Sequence, residues 1–143
     1  SKKIKSLTVP LTNFDIEHFR GVFAKNSLPK KINELEYGIV NNDNLPGNGT
    51  HWVCYYNNPK NKYVEFFDSF GLAPAKEIQK YLETSNKKIK YNSTQIQDVL
   101  SIKCGYFCID FIKDRISGKS MYDCIHKYSI NFPIINDDLL CCV

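Results

Sequence analysis

The sequence predicts a single α+β domain, and three observations lead to that fold class. The chain has 143 residues, which is the size of one ordinary domain. Two β-rich runs, at 51–56 and 63–67, flank the polar turn NNPKN, as is typical of a hairpin. The apolar residues of 104–116 recur at spacings of three and four, which indicates one buried face of a helix. No internal linker divides the chain, so we expect one sheet with flanking helices.

The other elements are predicted from helix-start signals, turn residues and short β-rich runs. Thr12 followed by Asp15 is a capping pattern that predicts a helix start. Pro74 predicts another, because proline suits the first helical turn. In chain order we expect a helix over 14–20, a strand over 35–40, a loop over 41–49, the hairpin, a helix from 74 to about 84, a strand over 88–91, an irregular loop over 92–103, a helix over 104–116 and a last helix over 120–127. The single domain spans 1–143, and 136–143 are expected to form a loose tail.

Composition excludes several classes of function. Hydrophobic residues make up 43% of the chain and charged residues 24%, which is typical of a globular domain. No apolar run approaches the roughly 20 residues of a membrane helix. A net charge of +4 is mild: it permits contact with nucleic acid but does not argue for it. Ser1 to Lys5 show no signal peptide, and the six cysteines lack a secreted disulfide pattern, so we expect free thiols in a reducing compartment.

Cys104 is a candidate nucleophile because it stands at the predicted start of a helix. Unpaired N–H groups and the helix dipole favour an anion there, which lowers the pKa of a cysteine. Gly105 follows, and would let the backbone pass close to a substrate. The competing interpretation is a buried core cysteine, the common fate of a free thiol.

His51 is the candidate base, because it begins a strand beside a glycine-rich loop and can therefore face a cleft. His18 and His126 are equally suitable by composition, but neither lies beside a predicted strand that would hold it. Pairing of the hairpin strands would bring Asp68, at the end of the second strand, next to His51. A carboxylate there can accept a hydrogen bond from the imidazole and fix its tautomer. The alternative role for Asp68 is turn formation.

A side-chain amide in the loop before Cys104 could donate to the oxyanion that forms when a peptide bond is attacked. Gln97 and Gln95 both lie in that loop. Either could instead be a solvated loop residue, and the chemistry alone does not choose between them.

A metal site is not expected. The residues that could be combined as zinc ligands are Cys104, Cys108, Cys124 and His126. Their spacing, C-x3-C followed by C-x-H, does not match the usual ligand pairs. Cys108 fits the core face of the helix, and Cys141 with Cys142 are expected to be loose thiols in the tail. The sequence also contains no phosphate loop and no dinucleotide fingerprint.

Three stretches carry a resemblance to a known family: GTHWVCYY at 49–56, YVEFFDSFG at 63–71 and QDVLSIKCGYFCIDFI at 97–112. A weaker match covers FRGVF at 19–23 and YGIVN at 37–41. With the order His, acid, Gln, Cys, the chain resembles the adenovirus maturation protease (adenain) and its relatives in virophages and Polinton-type elements. It is more distantly similar to the ubiquitin-like-protein-specific proteases. The resemblance implies a papain-like cysteine protease fold of the adenain type, with a central mixed or antiparallel sheet flanked by helices and the nucleophile at the N-terminus of a helix.

The resemblance also implies a role for each site residue. It makes Cys104 the nucleophile, His51 the base, Asp68 its orienter and Gln97, seven positions before Cys104, the oxyanion donor, with Trp52 in contact with substrate. Trp52 follows the histidine directly, as does the tryptophan that lines the narrow substrate groove in the family.

The function implied by the resemblance is a cysteine endopeptidase that cleaves viral precursor proteins, such as capsid proteins, at small-residue or glycine sites during particle maturation. A deconjugating protease for ubiquitin-like modifiers and an inactive assembly scaffold are the alternatives. We expect no cofactor, although DNA or a peptide could act as activator as in the family, with weak DNA contact and no membrane contact. We expect a monomer that works inside the host cell (virus factory, cytoplasm or nucleus) and in the virion, and that is not secreted.

Overall fold

A mixed β-sheet forms the centre of the computed structural model, which describes residues 17–42, 51–98 and 101–140. Within these residues the strands are β1 (Phe19–Ala24), β2 (Glu36–Asn41), β3 (Trp52–Asn57), β4 (Tyr63–Phe67) and β5 (Lys88–Tyr91), in this order across the sheet. β1 pairs with β2 and β4 with β5 in parallel, whereas β2–β3 and β3–β4 are antiparallel. The predicted α+β class with a central mixed sheet is confirmed.

The β3–β4 hairpin forms as predicted, because a polar turn separates two β-rich runs. Its register pairs Cys54 with Phe67 and Tyr56 with Glu65. In this register the chain leaving β4 at Asp68 runs back beside the start of β3. The hairpin therefore places the residue after one strand against the residue before the other.

β5 lies parallel to β4, and two parallel neighbours need a crossover connection. The helix α1 (Lys76–Glu83) provides it, and its buried residues are Ile78, Tyr81 and Leu82. The predicted helix is confirmed, but it starts at Lys76 with Ala75 as its N-cap, not at Pro74.

Alternate residues of β3 belong to two hydrophobic cores, one on each face of the sheet. Cys54 and Tyr56 pack with the helix α2 (Cys104–Ile116), whose bounds are those predicted. Val53 and Tyr55 pack with α1. α2 is buried beyond the predicted stripe because α3 (Met121–His126), which Ser120 caps, contacts it.

Glu36, the first residue of β2, carries a buried carboxylate. It lies at the end of the sheet opposite to Cys104. It accepts hydrogen bonds from the hydroxyls of Tyr55 and Tyr81, and pairs with Arg20 at 2.7 Å. Gly38 makes this possible, because a Cβ at that position would lie 2.6 Å from the Tyr55 hydroxyl. A buried charge is tolerated when it is paired and hydrogen-bonded in this way.

The predicted helix over 14–20 is wrong where the structure describes it. Residues 17–18 form a turn and β1 begins at Phe19, whereas 14–16 lie outside the described residues. Phe19 and Val22 are buried in the first core, and β1 pairs along β2. Tertiary pairing outweighs the local capping signal here.

The expectation of a loose tail over 136–143 is also wrong for its described part. A 3₁₀ turn (Pro133–Ile135) and a short helix, α4 (Asn136–Leu139), follow α3, so α3 is not the last helix. Asn136 is fully buried. Its amide donates to the carbonyls of Ile96 at 2.7 Å and Ser129 at 2.6 Å, which ties α4 to the rest of the domain. Residues 141–143, with Cys141 and Cys142, lie outside the described part.

Candidate active site

Cys104 is the first residue of α2 and is almost completely buried. The N-cap residue Lys103 makes no side-chain capping hydrogen bond. The backbone N–H of Trp52, the first residue of β3, donates to the Cys104 sulfur at 3.4 Å. The Cys104 sulfur therefore lies at the start of a helix and accepts a hydrogen bond from a strand amide.

His51 lies immediately before β3, and its Nε2 is 2.7 Å from Oδ1 of Asp68. The Asp68 side chain is 1% exposed and that of His51 15% exposed, so water competes little for this contact. The ring of Phe70 stacks on the imidazole at a centroid distance of 4.7 Å. The hairpin therefore brings His51 and Asp68 together as its geometry predicted, and Phe70 restricts the tilt of the imidazole.

The charge state of His51 follows from its two neighbours. Burial lowers the pKa of the imidazole, but hydrogen bonds to Asp68 and Cys104 and the charges of both groups raise it, for a net pKa of about 9. Since Nε2 faces Asp68, Nδ1 is the nitrogen left to face Cys104. At neutral pH the site therefore holds an imidazolium between a carboxylate and the sulfur.

Asp68 is fixed by contacts that local sequence patterns did not reveal. The backbone N–H of Phe70 donates to the same Oδ1 at 2.8 Å. The amide of Asn92, directly after β5, accepts from the Asp68 N–H at 3.1 Å and donates to the Asp68 carbonyl at 2.6 Å. Asn92 thus continues the sheet's hydrogen bonding past the end of β4. The only sequence signal for this contact is an asparagine at the end of a strand. Asparagine is common in turns, so the signal does not identify a partner of Asp68.

Gln97 is 1% exposed, so its interpretation as a solvated loop residue is wrong. Its Oε1 accepts from the hydroxyl of Ser69, and its Nε2 donates to the carbonyl of Ser101 at 2.9 Å. Gln95 is half-buried, and its amide donates to the Gln97 carbonyl at 2.8 Å. Of the two glutamines, Gln97 is the one held rigidly inside the fold.

Trp52 and Gly105 are both neighbours of Cys104, Trp52 through its backbone N–H and Gly105 along the chain. The Trp52 indole is half-buried against the first core. The backbone carbonyl of Trp52 accepts a hydrogen bond from the Cys108 thiol at 3.4 Å. Gly105 is buried as the second residue of α2. Contact of either residue with substrate stays a prediction.

The other candidate residues are placed away from this arrangement. His126 stacks on Tyr122 at the exposed end of α3, and His18 lies 3.9 Å from exposed Glu17. Within 17–42, 51–98 and 101–140, no cluster of three or more His, Cys, Asp or Glu residues could hold a metal ion. The described cysteines are free thiols, and burial raises the pKa of Cys108 well above its usual range and that of Cys124 to about 12. Both of these thiols are therefore protonated at neutral pH.

The raised pKa of His51 can be tested without any substrate. In Asp68→Asn the imidazole loses its carboxylate partner, so its pKa should fall from about 9 toward the ordinary value of 6.5. The imidazole resonances in an NMR titration between pH 5 and pH 10 report this directly. Asp123→Asn, which changes an exposed carboxylate on α3, is the matched control and should leave the titration unchanged. Equal midpoints in Asp68→Asn and the unsubstituted protein would contradict the assigned pairing.

The fold and the site define a class: an α+β domain with a cysteine at a helix start, facing a histidine and an acid carried by a hairpin. Solved structures share this fold. The ASFV pS273R protease aligns with a TM-score of 0.60 at 14% identity, covering 94% of this chain and 67% of that one. Its selenomethionine form aligns with a TM-score of 0.56 at 18% identity, covering 72% of this chain and 42% of that one.

A curated relative shares sequence as well. "Putative thiol protease R355" of Acanthamoeba polyphaga mimivirus is 32% identical over an alignment 108 residues long, which covers 68% of this chain and 35% of that protein. The chain thus spans about a third of the length of that relative. No protein-family profile matches the chain. By sequence, the chain belongs to the family of this mimivirus thiol protease, and its fold is the one that the ASFV pS273R protease has. Within the described residues, no helix has the length and apolar character to span a bilayer.

Proposed function

We propose that the chain is a cysteine endopeptidase in which Cys104 is the nucleophile, His51 its base and Asp68 the residue that orients the imidazole. One observation carries the proposal: Nε2 of His51 lies 2.7 Å from Oδ1 of Asp68, both Asp68 and Cys104 raise the pKa of the imidazole, and Cys104 begins a helix. A nucleophile, a base and an orienting carboxylate in contact are the requirement for this chemistry.

The first half of the reaction uses the imidazolium as a proton donor. The Cys104 thiolate attacks the scissile carbonyl carbon, and the carbonyl oxygen becomes an oxyanion. The backbone N–H of Cys104 and the amide of Gln97 are the donors we assign to that oxyanion. When the C–N bond breaks, the His51 imidazolium gives its proton to the leaving amine, and a thioester remains on Cys104.

The second half reverses the proton flow. Neutral His51 takes a proton from a water molecule, whose oxygen attacks the thioester carbonyl. The C–S bond then breaks and releases a carboxylic acid, which loses its proton to solvent. The thiolate and the imidazolium are regenerated together, so no external acid, base or metal is consumed.

For the substrate, we propose viral precursor proteins such as capsid proteins, cut during particle maturation inside the host cell and in the virion. The mimivirus relative and the ASFV pS273R protease are both named as proteases and support a viral setting. DNA or a peptide is proposed as activator, and no cofactor is required by the steps above.

The test is a cleavage profile by mass spectrometry on capsid-type precursor peptides and on a ubiquitin-like fusion, each with and without DNA. Cleavage of the precursor peptides alone is the expected result. Preferential cleavage of the fusion would replace the proposal with a deconjugating protease. Absence of cleavage, together with no reaction of Cys104 with a thiol-directed probe, would indicate an inactive scaffold.

Substrate selection is expected to depend on Trp52. Trp52 directly follows His51 in sequence, and its backbone N–H donates to the Cys104 sulfur. A substrate that reaches the sulfur therefore passes close to Trp52. The flat indole ring leaves room for the substrate's backbone but little for its side chains. We therefore expect kcat/KM to be higher for peptides with glycine before the scissile bond than for peptides with leucine there. Trp52→Ala should accept both while cleaving the glycine peptide more slowly, because the backbone is held less well.

Peptides that differ only in the two residues before the cut provide the measurement for this selectivity. Phe132→Ala, which removes an aromatic ring that is 68% exposed, is the control and should keep the selectivity. Equal kcat/KM for glycine and leucine in the unsubstituted protein would eliminate the narrow groove.

A further inference from the structure

The amide of Gln97 is held from two sides by residues that are far apart in the chain. We propose that Ser69 and Asp137 are positioning residues that together fix the orientation of the Gln97 amide toward the oxyanion. The inference rests on the proposed function, because it gives Gln97 the role of oxyanion donor. It adds two residues, one beside the catalytic acid and one in the C-terminal helix, to the machinery of the same site.

Ser69 holds the oxygen end of the amide. It directly follows Asp68 and is fully buried. Its hydroxyl bonds Oε1 of Gln97, and its carbonyl accepts from the backbone N–H groups of Ile96 at 2.9 Å and Gln97 at 3.0 Å. Ser69 therefore restrains both the side chain and the backbone of Gln97.

Ser101 determines which end of the amide faces which way. A carbonyl oxygen can only accept, so the group of Gln97 that lies 2.9 Å from the Ser101 carbonyl must be the NH₂. The opposite end is then the oxygen, and the Ser69 hydroxyl must be its donor. An NH₂ group carries two N–H donors, so one can bind Ser101 while the other serves an oxyanion.

Asp137 holds Ser101 in turn. The Ser101 hydroxyl donates to both carboxylate oxygens of Asp137, each at 2.9 Å. Asp137 lies in α4, and its neighbour Asn136 donates to the carbonyl of Ile96 at 2.7 Å. α4 thus contacts the loop at two points: at Ile96, one residue before Gln97, and at Ser101, four residues after it.

These contacts have a consequence for catalysis. Oxyanion donors are effective when they are already aimed before the charge develops, because no reorganisation is then needed during the reaction. A buried amide with two defined partners meets that condition, whereas an amide with one partner can rotate. Loss of either Ser69 or Asp137 should therefore lower kcat more than it raises KM.

The first test needs no catalysis and uses the full chain carrying Cys104→Ala. The Gln97 side-chain amide is identified in NMR spectra by its loss in Gln97→Ala, and its exchange with solvent is measured. Adding Ser69→Ala or Asp137→Ala should speed this exchange about tenfold, the effect of losing one buried hydrogen bond. Ser93→Ala and Asp138→Ala, on exposed neighbours in the same loop and helix, are matched controls and should leave it unchanged. Unchanged exchange in both test variants overturns the inference.

The second test is a double-mutant cycle on peptide cleavage. Ser69→Ala and Asp137→Ala should each lower kcat about tenfold when Gln97 is present, and should have no further effect in a Gln97→Ala background. Equal losses in both backgrounds would mean a general structural role and overturn the inference. If Ser69→Ala fails to fold, Asp137→Ala tests the inference alone, because Asp137 lies on a partly exposed helix and its replacement should leave the fold intact. A protein that cleaves nothing but shows the faster amide exchange would refute the proposed function and leave the positioning intact.

Discussion

Cys104→Ala should abolish peptide cleavage while leaving the fold in place. Without the sulfur there is no atom to form the thioester, and His51 with Asp68 cannot replace it. The side chain lies at the end of α2 and not in the middle of a core layer, so its removal should change the melting temperature little. The measurement is kcat/KM on a cleaved precursor peptide, with a thermal melt of the same sample.

The other described cysteines provide the control for that variant. Cys54→Ala removes a fully buried thiol from the core, which should cost stability but not the reaction. Burial raises the pKa of Cys108 and Cys124, so neither thiol should react quickly with iodoacetamide at neutral pH. Substantial turnover by Cys104→Ala, or a comparable loss of turnover in folded Cys54→Ala, would sink the assignment of the nucleophile.

Gln97→Ala should lower kcat by about 10²–10³, the typical cost of removing one oxyanion donor in a protease. KM should change little, because the oxyanion exists only in the transition state and the intermediates. Gln95→Ala provides the matched control, since it removes the same side chain two residues away. Its amide donates to the Gln97 carbonyl, so only a small effect is expected.

The two glutamine variants compared under one set of conditions test the assignment of the loop. If Gln95→Ala is the slower enzyme, the oxyanion donor is Gln95 and the register proposed for this loop is wrong. If both variants keep full kcat, the oxyanion is held by backbone N–H groups alone. A thermal melt of both variants separates a loss of catalysis from a loss of folded protein.

The sequence predicted most accurately the elements whose signals are local. The bounds of α2 agree with the prediction because its apolar spacing and the polar loop before it are both visible within a few residues. The hairpin agrees because its turn residues define which runs can pair. The hairpin then brought His51 and Asp68 together, so a local signal was sufficient for that part of the site.

Errors arose where a long-range contact outweighed a local preference. β1 was predicted as helix from a capping pattern, but its pairing with β2 and the burial of Phe19 decide its conformation. The described end of the supposed tail is helical because Asn136 finds its partners at Ile96 and Ser129. Neither contact has a signature in the neighbouring residues.

By itself, the sequence determined the fold class, the helix that begins at Cys104 and the pairing of His51 with Asp68. These depend on periodicity and turn chemistry, which act over a few residues. Only the tertiary structure decided how Gln97 is held, because its partners Ser69 and Ser101 approach it through the end of β4 and the loop before α2. The tertiary structure also revealed the roles of Asn92 and Asp137. The hydrogen bonds of these two polar side chains join segments that are far apart in the chain. Such bonds need both segments to be in their folded positions, so no local pattern encodes them.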